Sequence, residues 1–161
     1  MIIIVEGIDR VGKTTLCNKL SKELGIKIFK DNPVHYSSGL KEVYTEKVKT
    51  LVNMQECFNN DFISDRLHLT EYVYGFCERE YCNMEMFNVD EQLSKMDCIL
   101  ILVTPVYIER SSKEHGKDLK LHSILMDTFY RRSKIKNKFR IMYEDFDSIT
   151  EEVRKIVYGG M

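Results

Sequence analysis

The chain has 161 residues, 43 % of them hydrophobic and 30 % charged, which suits one globular domain with a core of its own. A formal net charge of −1 gives no electrostatic ground for a protein that coats nucleic acid or lies on an anionic membrane. No apolar run approaches the ~20 residues that span a bilayer, no basic segment precedes the apolar start, and five cysteines without paired close spacing read as reduced cytosolic thiols rather than a zinc site.

Residues 2–5, all aliphatic, are the first predicted strand. They run into Gly7-Ile8-Asp9-Arg10-Val11-Gly12-Lys13-Thr14, which matches G-x-x-x-x-G-K-[ST], and Leu16, Leu20 and Leu24 follow at helical spacing up to Gly25. Residues 26–30 are a second strand, broken by Asp31-Asn32-Pro33. Leu40, Val43, Tyr44, Val48, Leu51 and Val52 mark a helix, residues 61–64 a third strand, and a further helix starts near Leu67. Val89, Leu93 and Met96 share a face of a shorter helix. Cys98-Ile99-Leu100-Ile101-Leu102-Val103 is apolar on both faces, as a central parallel strand must be. Thr104-Pro105 opens a helix that Gly116 ends; residues 119–138 are helical, 140–143 a strand, and Ser148 with Glu151 has the spacing of a capping box for the last helix. This alternation predicts a three-layer α/β/α sandwich around a parallel five-stranded sheet, in a single domain over 1–161. In such a sheet ligands sit at the carboxyl ends of the strands, where the glycine loop, Asp31, Asp65 and Thr104 fall.

The loop's residue types are those that phosphate binding needs. Glycines at 7 and 12 allow backbone angles that a β-carbon forbids, so N–H groups from Gly7 through Ile8, Asp9, Arg10, Val11, Gly12, Lys13, Thr14 and Thr15 turn toward one anion at a helix N-terminus. Lys13 adds a point charge for the outer phosphates, and the Thr14 hydroxyl suits Mg²⁺. Asp65-Arg66, just past the third strand, is a second candidate. Its carboxylate can bind Mg²⁺ through water or accept a proton, and its guanidinium can clamp a phosphate; the plain alternative is a helix-capping Asp beside a surface Arg.

Val5-Glu6-Gly7-Ile8-Asp9-Arg10-Val11-Gly12-Lys13-Thr14-Thr15 resembles the thymidylate kinase form of this loop, and Asp65-Arg66 matches the same family and its deoxynucleoside kinase relatives. With His68, Glu71, Tyr74, Gly75 and the tail Tyr143-Glu144-Asp145-Phe146, the chain resembles small thymidylate kinase-like proteins of bacterial viruses. The resemblance implies an ATP- and Mg²⁺-dependent phosphoryl transfer to a nucleotide, a deoxynucleoside monophosphate with thymidylate the default, in the cytoplasm (the host's, for a viral protein). Lys13 and the loop amides would hold the β- and γ-phosphates; Thr14 and Asp65 would hold the metal; Asp9, Asp31, Arg66, Glu71 and Tyr74 would face the acceptor. Arg10 stands where one subgroup places its transition-state cation; the other subgroup uses a lid, here about 109–118 with Arg110, Lys113 and Lys117. Homodimers are an expectation by analogy.

The match is uneven. No arginine lies between Arg10 and Arg66, where thymidylate kinases grip the acceptor's monophosphate; Asp31 stands there instead, either as the acid that activates a 5′-hydroxyl in deoxynucleoside kinases or as a turn residue before Pro33. A deoxynucleoside kinase or a kinase of polynucleotide ends or modified bases is therefore the alternative. A nucleotide-operated switch is disfavoured: Asn18-Lys19 has Ser21 where a base-reading Asp would stand. Tyr44, Phe58, Tyr72 and Tyr74 are base-stacking or core aromatics, and the basic run 131–140 reads as a solvated helix face before a nucleic-acid contact.

Overall fold

A computed structural model of the chain describes residues 1–30, 40–58, 60–105 and 119–159. Five strands, β1 (Ile2–Glu6), β2 (Lys27–Lys30), β3 (Phe62–Asp65), β4 (Cys98–Val103) and β5 (Asn137–Ile141), form one parallel sheet in the order β2-β3-β1-β4-β5. The helices are α1 (Lys13–Leu24), α2 (Leu40–Phe58), α3 (His68–Glu78), α4 (Glu85–Ser94), α5 (Leu119–Arg132) and α6 (Phe146–Tyr158). The three-layer α/β/α architecture read from the sequence is the one observed. α1 packs with α6, while α2, α3, α4 and α5 form the other helical group.

Strand position follows hydropathy. Every residue of β1 and β4 is buried, so these strands occupy the interior, and β2 and β5, with exposed lysines and Arg140, take the edges. Removing an aliphatic side chain such as Ile3 or Ile99 from water contributes about 1.5–3 kcal/mol each, enough to set the order. On the other face α3, α4 and α5 are locked by rings: Phe129 stacks on Tyr72 (4.9 Å between centroids) and meets Phe87 edge-on (4.6 Å), so Tyr72, half-buried, packs against the core.

A buried carboxylate closes that face. Asp90 accepts hydrogen bonds from Ser133 Oγ (2.6 Å) and the Lys134 amide (2.7 Å), and pairs with His68 Nε2 (3.0 Å). Burial pushes the Asp90 pKa up, but the bonds from His68, Ser133 and Lys134 outweigh it and hold the carboxyl below its ordinary range. The same bonds end α5 at Arg132, six residues before the periodicity predicts; the chain turns there to start β5 at Asn137. The last helix also starts earlier than predicted. Ser148 lies inside α6, its hydroxyl donating to the Asp145 carbonyl (2.9 Å), and the turn before it is closed by Asp145, whose carboxylate accepts the Met142 amide (2.8 Å). The helix expected from Pro105 to Gly116 lies outside the described residues except for Pro105 itself.

The basic run is largely paired. Arg131 and Arg140 both reach Asp127 (2.8 and 3.1 Å), Lys134 reaches Glu91 (2.9 Å), and Lys138 donates to the Ser133 and Tyr130 carbonyls. Among the described residues no helix is long and apolar enough to cross a membrane, and all five cysteines are free thiols.

Candidate active site

The glycine loop leaves the carboxyl end of β1, the middle strand of the sheet, and delivers the chain to α1. Gly7 sits at φ 147°, and a β-carbon there would lie 2.4 Å from the Val103 carbonyl oxygen at the end of β4, so only glycine fits. Gly12 is left-handed at φ 89° and caps α1 without a side-chain hydrogen bond, which leaves the amides of that helix N-terminus open to an acceptor. The rings of Tyr143 and Phe146 close over Gly12 from the β5–α6 turn. Arg10, also at positive φ (66°), is exposed on the loop.

Lys13 is buried, and its Nζ donates to the Ile8 carbonyl (2.5 Å). Its pKa is pushed down to about 8, first by burial and then by the Arg66 guanidinium, against the pull of Asp9, Asp65 and Glu6. The Thr14 hydroxyl donates to Asp65 Oδ2 (2.6 Å), so a loop residue and the last residue of β3 meet although 51 positions separate them. A hydroxyl and a carboxylate side by side are hard oxygen donors, the set that suits Mg²⁺ when waters and phosphate oxygens complete its shell. No group of three or more His, Cys, Asp or Glu side chains that could hold a metal unaided occurs among the described residues.

Arg66 follows at φ 81°, a strained angle for an arginine. Three contacts hold it. Its amide donates to the Val5 carbonyl (3.0 Å), its carbonyl accepts from Ser64 Oγ (2.6 Å), and the next amide, Leu67, donates to Glu6 Oε1 (2.9 Å). Glu6 is fully buried at the end of β1. It also accepts the Leu69 and Thr70 amides (3.0 and 3.4 Å) and the Thr70 hydroxyl (2.5 Å), and so caps α3 from another strand. One carboxylate thus fixes the glycine loop and the Asp65-Arg66 turn relative to each other. Sequence reasoning took Glu6 only as part of the loop's pattern. The strained turn aims the Arg66 guanidinium at Asp9, with which it forms an ion pair, and over the Tyr74 ring (5.2 Å to the centroid). Burial pushes the Tyr74 phenol pKa up.

Beside this pair, between β2, α2 and α3, opens a narrow pocket; Phe29, Tyr44, Lys47, Arg66, Thr70 and Arg79 are among its lining residues. Glu71 lies at its base, 3 % exposed. Its oxygens accept from Arg79 Nη1 (2.7 Å), the Tyr81 hydroxyl (2.8 Å) and Asn83 Nδ2 (3.0 Å). Burial raises the Glu71 pKa and pushes the Tyr81 phenol up to about 12. Arg79 stacks on Tyr44, 3.9 Å from the ring centroid. Arg79, Tyr81 and Asn83 escaped the sequence reading; the only signal was Gly75, over which the Tyr81 ring lies so closely that a β-carbon would come within 2.6 Å of it.

The structure therefore brings together Gly7, Asp9, Gly12, Lys13, Thr14, Asp65, Arg66 and Tyr74, and sets Glu71 one layer deeper. Thr15 is exposed at the start of α1, and Ile8 and Val11 turn their side chains into the core. Thr104 is bonded to the Ile141 carbonyl through both amide and hydroxyl (2.8 and 3.0 Å), joining β4 to β5. Asp31 and the lid residues Arg110, Lys113 and Lys117 lie outside the described residues, as does the Phe58 side chain.

No protein-family model matches the chain, and no curated protein matches it in sequence. Solved structures match it over nearly its whole length. The YorR protein of Bacillus subtilis, crystallised in complex with phosphorylated GDP, aligns with a TM-score of 0.74 at 20 % identity, covering 98 % of this chain and 95 % of that one. The thymidylate kinase of Ehrlichia chaffeensis aligns at 0.61 and 16 % identity, covering 98 % of each chain. The deoxyadenosine kinase of M. mycoides with bound dCTP aligns at 0.54 and 18 %, covering 96 % of this chain and all of that one. At such identities the likeness is one of fold. Read with the strand order and the loop geometry, it establishes that this chain has the thymidylate kinase-like P-loop kinase fold.

Proposed function

We propose that the protein is an ATP-dependent kinase that phosphorylates a nucleotide, a deoxynucleoside monophosphate with thymidylate as the default acceptor. The observation that carries this reading is the meeting of Thr14 and Asp65 at 2.6 Å, beside a buried Lys13 and an uncapped helix N-terminus. An oxygen of the acceptor's phosphate attacks the γ-phosphorus, the bond to the β–γ bridging oxygen breaks, and ADP leaves with that electron pair. At neutral pH the attacking oxygen is already largely ionised, so the step asks for charge stabilisation and alignment more than for a strong base.

The roles follow from position. The loop amides and the Lys13 ammonium hold the β- and γ-phosphates. Mg²⁺, when bound, neutralises charge on the phosphate oxygens, and Thr14 with Asp65, through water, would hold it. Arg66, leaving Asp9 for a stronger anion, grips the acceptor's phosphate, while Asp9 turns to the sugar hydroxyl. Arg10, exposed on the loop, supplies charge at the transferring group. A cytoplasmic location accords with five free thiols. The test is transfer of label from γ-labelled ATP across a panel of nucleosides, monophosphates and oligonucleotides with Mg²⁺. The account expects labelled diphosphates from monophosphates. Label on nucleosides or oligonucleotides alone would replace this reading with the corresponding kinase, and no transfer to any of them would refute it.

A further inference from the structure

An open groove of about 480 Å³ runs between α5 and the edge strand β5, within the roughly 300–1,000 Å³ of small-molecule sites. Ser123, Ile124, Asp127, Arg131 and Arg132 line it from α5, a single helical stripe roughly 13 Å long, and Arg140 lines it from β5. Only Ser123 is shared with the small cavity beside Gly7, Ile8 and Thr104 at the glycine loop, so the groove lies outside the transfer site.

The groove sets three arginines around one aspartate. Arg131 meets Asp127 through Nε at 2.8 Å and Arg140 through Nε at 3.1 Å, while Arg132 forms no ion pair among the described residues. One carboxylate thus orients two guanidiniums that stay largely exposed, and three positive charges against one negative leave a surplus of two. Asp127 is itself unfinished. Its Oδ1 is buried, and Arg140 Nε, although near, lies off the line of a hydrogen bond, so this oxygen lacks a donor among the described residues. Ile124, 53 % exposed, adds an apolar surface.

A face of solvated charge would pair each cation with an acid. This groove instead offers guanidinium forks for a phosphate dianion, whose two charges match the surplus, beside an acceptor oxygen and an apolar surface. That set complements a nucleoside phosphate: phosphate on the arginines, a sugar hydroxyl or base amino group on Asp127, the base on Ile124. A polynucleotide needs a longer track of free cations, and the neighbouring lysines are spent, Lys134 on Glu91 (2.9 Å) and Lys138 on the Ser133 and Tyr130 carbonyls (2.8 and 3.2 Å). We propose that the α5–β5 groove is a second nucleotide site, separate from the transfer site, which binds a nucleoside phosphate through Arg131, Arg132 and Arg140. The inference goes beyond the kinase reading and does not depend on it.

The experiment is a magnetic-resonance titration of the isotope-labelled full chain, followed at the Nε–H signals of Arg131, Arg132 and Arg140 and assigned from Arg131→Lys, Arg132→Lys and Arg140→Lys. The probes are the common ribonucleoside 5′-monophosphates, inorganic phosphate and a short single-stranded oligonucleotide. At least one monophosphate should move all three signals along one saturable curve, about tenfold tighter than inorganic phosphate, because the nucleoside completes Asp127 and covers Ile124. Arg132→Gln breaks no ion pair and should weaken that binding about tenfold, the worth of one charge-assisted bond. In Lys13→Ala, whose glycine loop is disabled, the curve should stay the same. Unmoved signals would overturn the proposal, as would an Arg132→Gln variant that binds like the wild type. So would inorganic phosphate binding as tightly as every monophosphate (an anion patch only), an oligonucleotide binding more tightly than any of them (a nucleic-acid surface), or a response lost in Lys13→Ala (a relay from the loop).

Discussion

The proposed donor side and the proposed acceptor side of this site are built in different ways. The phosphate loop is made of backbone within one stretch of eight residues, and its fit is enforced by sterics: Gly7 faces a carbonyl at 2.4 Å from any β-carbon. The proposed acceptor side is made of side chains, from Arg66 through Glu71 and Arg79 to Tyr44, assembled from two helices and the turns that follow β3 and α3. Backbone sites tolerate few changes and announce themselves in sequence; side-chain sites can be retuned residue by residue. The hinge between the two is Glu6, one buried carboxylate that ties the loop's strand to the Asp65-Arg66 turn.

If the contrast holds, the largest effect belongs to the donor side. Lys13→Ala should lower kcat by about 10³-fold or more, because its charge acts mainly on the transferring group, while far-UV circular dichroism and cooperative unfolding remain. Next comes the junction. Glu6→Ala leaves three buried amides and a hydroxyl without their acceptor, and should cost about 3 kcal/mol or more in denaturant unfolding. A smaller and selective loss is expected on the acceptor side. Tyr44→Leu removes the ring beneath Arg79, worth about 1 kcal/mol, and should raise the acceptor's KM several-fold without moving that for ATP. Equal changes in both would mean that the two sides are not separable.

The smallest effect is a fraction of a proton. Lys13 has a pKa of about 8 in the free protein, and a bound triphosphate favours its charged form, so nucleotide binding near pH 8 should take up protons from buffer. Calorimetry in buffers of different ionisation enthalpy reads this, and Lys13→Ala should abolish it. The sign for stability is fixed by the same pKa. The folded value lies below the unfolded one of about 10.4, so the unfolded chain binds more protons between roughly pH 8 and 10, and the Lys13 contribution to stability rises with pH across that window.

What the sequence disclosed divides along the same line. β1, the loop, α1 and β4 were legible because aliphatic runs, fixed glycines and helical spacing are local signals. Asp65 and Arg66 were found because they are adjacent. The end of α5 was missed because Asp90, more than 40 residues away, supplies the bonds that stop it. The start of α6 was misjudged because Asp145, not Ser148, closes the turn before it. Arg79 was missed for a similar reason. Nothing around position 79 distinguishes a surface arginine from one held by Glu71 and Tyr44, since the difference lies wholly in tertiary contacts.

The central claim is that the loop after β1 would grip a triphosphate, with Thr14 and, through water, Asp65 holding its Mg²⁺. The direct measurement is a calorimetric titration of the protein with ATP, with and without Mg²⁺, repeated on Asp65→Asn. The account predicts saturable binding that Mg²⁺ strengthens in the wild type and strengthens much less in the variant. Absence of binding by ATP or any other purine triphosphate in the presence of Mg²⁺ would contradict it.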